Sequence, residues 1–85
     1  MMECRDGEPL TDDNCQVGMR VRATIPVTDT ILAGSVATVT EYHNPPLLVE
    51  KKERGPYFVA LRVLFENSPI RFNHSSLDCF VVHKH

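Results

Sequence analysis

The sequence predicts an all-β domain, a small barrel of five short strands. Apolar and polar residues alternate in several short segments, which is the period of a half-buried strand. Turn-forming residues separate these segments, and none of them has the period of a long helix. The chain has 85 residues, of which 42% are hydrophobic and 24% charged, the usage of one ordinary globular domain. Closure into a barrel is expected because an open sheet leaves unpaired edges.

Charge marks the first boundary along the chain. Residues 1–16 contain five acidic residues and one basic residue, whereas residues 17–85 contain six acidic and eight basic residues. The acidic segment has few apolar side chains, too few to offset the entropy lost when it becomes ordered. We therefore predict a flexible acidic arm over residues 1–16 and a barrel over residues 17–85.

The strands follow from the alternation and from the turns between them. Met19 to Ile25 alternate with arginine and threonine, and Pro26 should end this first strand. Val36 and Val39 are three apart and cannot share one face, so we expect a bulge between them. The other predicted strands are Val36–Thr40 continuing to Tyr42, Tyr57–Glu66, Ile70–Phe72 and Cys79–Val82.

A long connection is predicted between the second and third strands. Asn44-Pro45-Pro46 should break the second strand, and a charged loop should extend to Gly55-Pro56. The third strand should then place Tyr57, Val59, Leu61, Val63 and Phe65 on the core face.

Catalysis and metal binding have little support in the residue pattern. The cysteines are Cys4, Cys15 and Cys79, an odd number without C-x-x-C spacing, so reduced thiols are expected. A zinc site made by Cys79 and His83 with Cys4 or Cys15 is the sharper alternative. Ser75 and Ser76 follow His74, but the G-x-S-x-G elbow of a serine hydrolase is absent. We expect no enzyme activity, no metal and no cofactor.

Binding is the better supported function. Strand alternation sends Arg20 and Arg22 outward from the first strand, and Arg62 and Arg71 outward from later strands. The full predicted basic surface comprises Arg20, Arg22, Lys51, Lys52, Arg54, Arg62 and Arg71. Three interpretations remain open: the residues solvate the barrel, dock an acidic protein, or contact RNA or DNA phosphates.

The aromatic residues weigh against two kinds of ligand. Base stacking needs exposed rings, and only Tyr42 and Tyr57 are candidates. A reader of methylated lysine needs a cage of several rings. Phe58, Phe65, Phe72 and Phe80 are expected to be needed for the core, which leaves too few for such a cage.

Several segments resemble the SH3-like small barrels. They are Val17–Arg22, Ala33–Val39, Val63–Glu66 and Arg71-Phe72 with Leu77. Within that group the stretch from Gly34 to Tyr42 is similar to the variable chain of ferredoxin-thioredoxin reductase and to the small barrel protein of photosystem I. In those families the barrel is an accessory subunit that packs on a redox partner and has no catalytic residue. The resemblance implies a protein-docking role, and a KOW-like nucleic-acid-binding module is the alternative.

The sequence also carries expectations about location. The N-terminal residues have neither a basic start nor an apolar core, so no secretory signal is visible. No apolar run approaches the roughly 18 residues of a membrane span. The expectation is a cytoplasmic protein, or one of the plastid stroma if the redox-barrel resemblance holds. A formal net charge of −2 also speaks against binding nucleic acid through bulk charge.

Overall fold

A computed structural model describes residues 5–51 and 55–84, with the backbone alone at Lys51. Within this part of the chain the protein is all-β, and the prediction of five strands is confirmed. The strands are β1 (Arg20–Ala23), β2 (Val36–Lys51), β3 (Gly55–Phe65), β4 (Arg71–His74) and β5 (Phe80–Val82). They form one antiparallel sheet in the order β4-β3-β2-β1-β5. None of the described residues belongs to a helix that is long and apolar enough to cross a membrane.

The sheet is not closed. Its edge strands are β4 and β5, and no backbone ladder joins them among the described residues. Side chains bridge the two edges instead: the ring centroids of His74 and Phe80 lie 4.7 Å apart. Phe80 also packs against Phe65, with centroids 6.4 Å apart. The sheet therefore curves until its edges touch through side chains.

The core lies on one face of this curved sheet. Val21 faces Ala37 across β1 and β2, and both are fully buried, as partners on one face should be. Of the four phenylalanines predicted for the core, Phe65 and Phe80 are buried and Phe72 packs against them. The prediction is wrong for Phe58, which is exposed.

The first strand ends earlier than predicted. Ile25 is exposed because the chain leaves the sheet after Ala23 and bends before Pro26. Ile31 takes a core position from the following loop. That loop is held by hydrogen bonds from the Val27 amide to the Ile31 carbonyl at 2.8 Å and from the Ile31 amide to Thr28 Oγ1 at 3.0 Å.

The N-terminal segment packs against the sheet, so the prediction of an unpacked arm is wrong for residues 7–15. Leu10 and Cys15 are buried members of the core. The Gly7 amide donates to the Val82 carbonyl at 2.7 Å, and the Val82 amide donates to the Glu8 carbonyl at 2.7 Å. Two apolar side chains suffice here because the backbone also hydrogen bonds to the free edge of β5.

β2 continues through the prolines that were predicted to end it. Tyr42 faces Leu61 and Leu47 faces Val59, so four residues of β2 bulge opposite one residue of β3. The Asn44-Pro45 peptide is cis. Proline is tolerated because this part of β2 is a sheet edge, where its missing N–H leaves no ladder incomplete. Most of the predicted connection is therefore a hairpin, with residues 52–54 outside the described residues.

The predicted bulge in β2 lies later than expected. Val36 and Val39 do face opposite sides of a regular stretch, since Ala37 and Val39 are the buried residues. The irregularity follows, between Val39 and Glu41. The Thr40 hydroxyl there donates to the Arg62 carbonyl at 3.1 Å.

His74 gives the fold a predicted pH dependence. Its Nε2 atom is buried without a hydrogen-bond partner among the described residues, and burial lowers the pKa of the ring below its ordinary 6.5. The unfolded chain therefore takes up a proton first. The free energy of unfolding should fall as the pH drops below about 6.5 toward the folded pKa.

Thermal melts at several pH values between about 7.5 and about 5 test this effect. We expect His74→Phe to remove part of the acid destabilisation and His43→Gln to retain it. An undiminished acid response in His74→Phe would contradict the assignment to His74.

Candidate interaction surfaces

The four sheet arginines of the predicted basic surface do share the outward face. Arg20 and Arg22 alternate with the buried residues of β1. Arg20 faces Thr38, Thr38 faces Leu64, and Leu64 faces Arg71, so one cross-strand row joins Arg20 to Arg71. Arg62 lies in the next row, opposite Glu41 and Asn73. The side chain of Lys51, together with Lys52 and Arg54, lies outside the described residues.

Carboxylates neutralise most of this arginine face. Arg20 forms an ion pair with Glu66. Arg22 Nη1 lies 2.6 Å from Asp6 Oδ1, and Arg62 Nη1 lies 3.0 Å from Glu41 Oε2. Three carboxylates against four arginines leave a net charge of +1 on this face. The face is therefore a weak electrostatic site for phosphate groups.

Arg71 is the arginine of this face without an ion-pair partner among the described residues. It borders an open depression of 430 Å³ whose lining also includes Arg62, Leu64, Pro69 and Asn73. Arg62 is engaged there, since its Nε donates to Asn73 Oδ1 at 2.7 Å. The depression thus presents one uncommitted cation from the described part of the chain.

The acidic N-terminal residues contact basic and phenolic groups of the sheet. Asp6 accepts hydrogen bonds from Arg22 and from the Lys84 amide, and both lower the pKa of its carboxyl. The Tyr42 hydroxyl donates to Asp12 Oδ1 at 2.5 Å, which raises the pKa of Tyr42 to about 12. Tyr42 is therefore tied to the N-terminal segment, and its hydroxyl is occupied.

A second surface, which sequence reasoning missed, is the far end of the β2–β3 hairpin. We define the hairpin tip as residues 47–51 of β2 and 55–59 of β3. β1 pairs only with residues 36–38 of β2, and β4 pairs only with residues 61–64 of β3, so the tip projects beyond both neighbours. Leu48 faces Phe58 there, and these side chains are 50% and 55% exposed. The signal lay in the apolar run Leu47-Leu48-Val49 directly after the prolines.

The predicted zinc ligands do not come together. His83 Nδ1 lies 2.8 Å from Arg22 Nη1, while the Cys79 sulfur lies 3.9 Å from His74 Nδ1. Burial raises the pKa of Cys15 to about 11 and also raises that of Cys79, which keeps both thiols protonated. Cys4 lies outside the described residues. No cluster of three or more metal-ligating side chains occurs in residues 5–51 and 55–84.

The predicted Ser75 and Ser76 alternative also lacks a catalytic arrangement in the described structure. The His74 ring packs at the edge of Phe80, and no hydrogen bond joins it to either serine in the described part of the chain. Both serines instead border a groove of 370 Å³ at the base of the hairpin, together with Asp12, Asp78, His43 and Leu77.

Two surfaces thus stand out: the arginine face, largely neutralised, and the apolar hairpin tip. Their geometry is the basis for assigning a function, because comparison of the chain with family models, with curated proteins and with solved structures finds no match.

Proposed function

We propose that this chain is a non-catalytic protein-interaction module that docks on a larger protein through its hairpin tip. The observation that carries the proposal is the half-exposed cross-strand pair Leu48–Phe58 on a projecting hairpin. Contiguous exposed apolar surface marks interaction sites in soluble proteins. A two-stranded ribbon is also only marginally stable in water, so a partner that covers the tip stabilises it.

A protein fits this surface better than a nucleic acid does. Phosphate binding needs uncompensated cations, and three of the four described sheet arginines are paired with carboxylates. Base stacking needs free aromatic rings, but the hydroxyl of Tyr42 binds Asp12 and that of Tyr57 accepts from Asn73 at 3.4 Å. The KOW-like alternative therefore depends chiefly on Arg71.

The fold supports an SH3-like assignment within this proposal. β1 lies between β5 and β2, and the two edge strands meet through Phe80 and His74, as in a barrel left open along one seam. With the resemblance to the redox-complex barrels, this favours an accessory subunit on a larger, redox-active assembly. Its location would be the cytoplasm, or the plastid stroma for a photosynthetic partner.

Replacing Leu48 and Phe58 together by serine should weaken capture of the partner at least about tenfold, equivalent to about 1.4 kcal/mol of binding free energy. The reason is that buried apolar anchors dominate docking energies. Tagged protein and native extract, followed by quantitative mass spectrometry, measure the captured amount. The matched control is Ile25→Ser with Leu32→Ser, two equally exposed apolar residues far from the tip in sequence.

Equal capture by the tip variant and the control would contradict docking through the tip. A titration with mixed-sequence RNA and DNA tests the alternative. We expect no binding tighter than about 10⁻⁵ M at near-physiological salt. Tighter, salt-sensitive binding that Arg71→Glu or the pair Arg20→Glu and Arg22→Glu abolishes would replace protein docking by nucleic-acid binding.

A further inference from the structure

We propose that a second copy of this chain pairs with the hairpin tip, edge to edge along residues 47–51 of β2. The two hairpins would form one four-stranded ribbon related by a two-fold axis. The inference rests on the proposed function in one respect, since the apolar face of this ribbon would be the docking surface.

The β2 edge of the tip is free to accept a strand. β1 stops pairing with β2 at Thr38, and Gly18 and Met19 bond Val39 beyond it. Among the described residues, the backbone of β2 from residue 47 onward pairs only with β3. Pro45 and Pro46 lack N–H groups, so they end this free edge on one side. The available edge is therefore about five residues long, a common strand length.

The exposed side chains indicate an added strand. Leu47 and Leu48 are consecutive, so they point to opposite faces, yet each is 50% exposed. A partner that packs on one face would cover only one of them. A strand added at the edge lies beside both, because its own side chains alternate between the two faces.

The same residues identify the added strand as another copy. A matching strand needs apolar side chains on both of its faces, which a strand with ordinary alternation lacks. Leu47-Leu48-Val49 is such a segment. An antiparallel pair of these segments is self-complementary, as a two-fold interface requires.

The other edge of the tip is obstructed, so the assembly closes as a dimer. Pro56 of β3 has no N–H group, and the Tyr57 hydroxyl is engaged by Asn73. Val59 and Ala60 are only 3% and 6% exposed. Strand addition is therefore confined to β2, and each copy uses up its own free edge in the pair.

Pairing also enlarges the docking face. A half-exposed leucine and phenylalanine offer on the order of 200 Å² together. A stable protein interface needs about 800 Å² from each partner. In the dimer the two Leu48 side chains become neighbours, with Phe58 of each copy outside them, so the apolar face doubles.

Sedimentation equilibrium over about 5 to about 500 µM tests the dimer. We expect the average mass to rise from 9.6 kDa toward twice that value. Leu47→Lys with Val49→Lys should hold the mass at one chain, because charged side chains block an edge. Leu32→Lys, an equally exposed leucine in a loop, should dimerise like the unchanged chain. Hydrogen exchange of the unchanged chain should show amides 47–51 slowing as concentration rises.

A chain that stays monomeric at the highest concentration would overturn the dimer, as would unchanged exchange at residues 47–51 or a dimer that survives in the Leu47→Lys, Val49→Lys variant. Phe58→Ser separates this proposal from the docking function, since it leaves the β2 edge intact. We expect that variant to dimerise and to lose partner capture. A monomer whose capture still depends on Phe58 would overturn the dimer alone, whereas a dimer with no partner captured at the tip would overturn the docking function alone.

Discussion

Deletion of residues 1–15 should abolish the cooperative unfolding of this chain. The deletion removes Leu10 and Cys15 from the core and leaves Ile31 and Leu77 without part of their surroundings. It also removes the backbone hydrogen bonds that Gly7, Glu8 and Leu10 make to β5. β5 has only three residues and would then be an unprotected edge on a core that is already small.

A single substitution measures the same contribution without truncation. Leu10→Ala should lower the free energy of unfolding by about 2 to 5 kcal/mol, the range for a buried leucine. Leu32→Ala is the matched control, since Leu32 is exposed, and it should change stability by less than about 0.5 kcal/mol. Urea denaturation followed by far-ultraviolet circular dichroism gives both values. A deletion variant that keeps the original transition would show that residues 1–15 are separate from the fold.

Sequence reasoning identified the strands wherever alternation was long and uninterrupted. The inward residues Leu61, Val63 and Phe65 of β3 are buried as predicted. It failed at the N-terminus because composition alone assigns a polar segment to solvent. The backbone of that segment bonds to the edge of β5, and such a bond leaves no trace in residue type.

The hairpin was missed because proline has two structural meanings. Proline ends a central strand, but it is compatible with a sheet edge or a bulge, and Pro45 and Pro46 occupy both. Once the strand is taken to end at Asn44, the apolar residues that follow look like parts of a loop. Phe58 was then assigned to the core, since nothing indicated that β3 extends beyond its neighbours.

The arginine face shows which part of a site alternation can predict. Strand parity correctly sent Arg20, Arg22 and Arg62 outward. Their carboxylate partners are remote in sequence: Glu66 is 46 residues from Arg20, and Asp6 is 16 residues from Arg22. Only the sheet register and the packed N-terminal segment bring these charges together. A basic surface in the sequence thus became a nearly neutral one in the fold.

The seam between β4 and β5 makes Phe80 the most demanding position in the sheet. No backbone ladder joins these edges in the described structure, so their association depends on side chains. Phe80 is buried and contacts both His74 of β4 and Phe65 of β3. Phe80→Ala would leave a cavity at the one place where the sheet cannot hold itself together by hydrogen bonds.

We expect Phe80→Ala to lower the free energy of unfolding by about 3 to 5 kcal/mol. That is a large share of the stability of any small domain, which is commonly about 5 to 15 kcal/mol. Phe58→Ala is the matched control, since it removes the same ring from an exposed position and should cost less than about 0.5 kcal/mol. Urea titration of both variants gives the comparison. A loss below about 1 kcal/mol in Phe80→Ala would mean that the ladders from β4 to β5 hold the curved sheet without the aromatic seam, because only a contact that closes the edges has the full cost of a core phenylalanine.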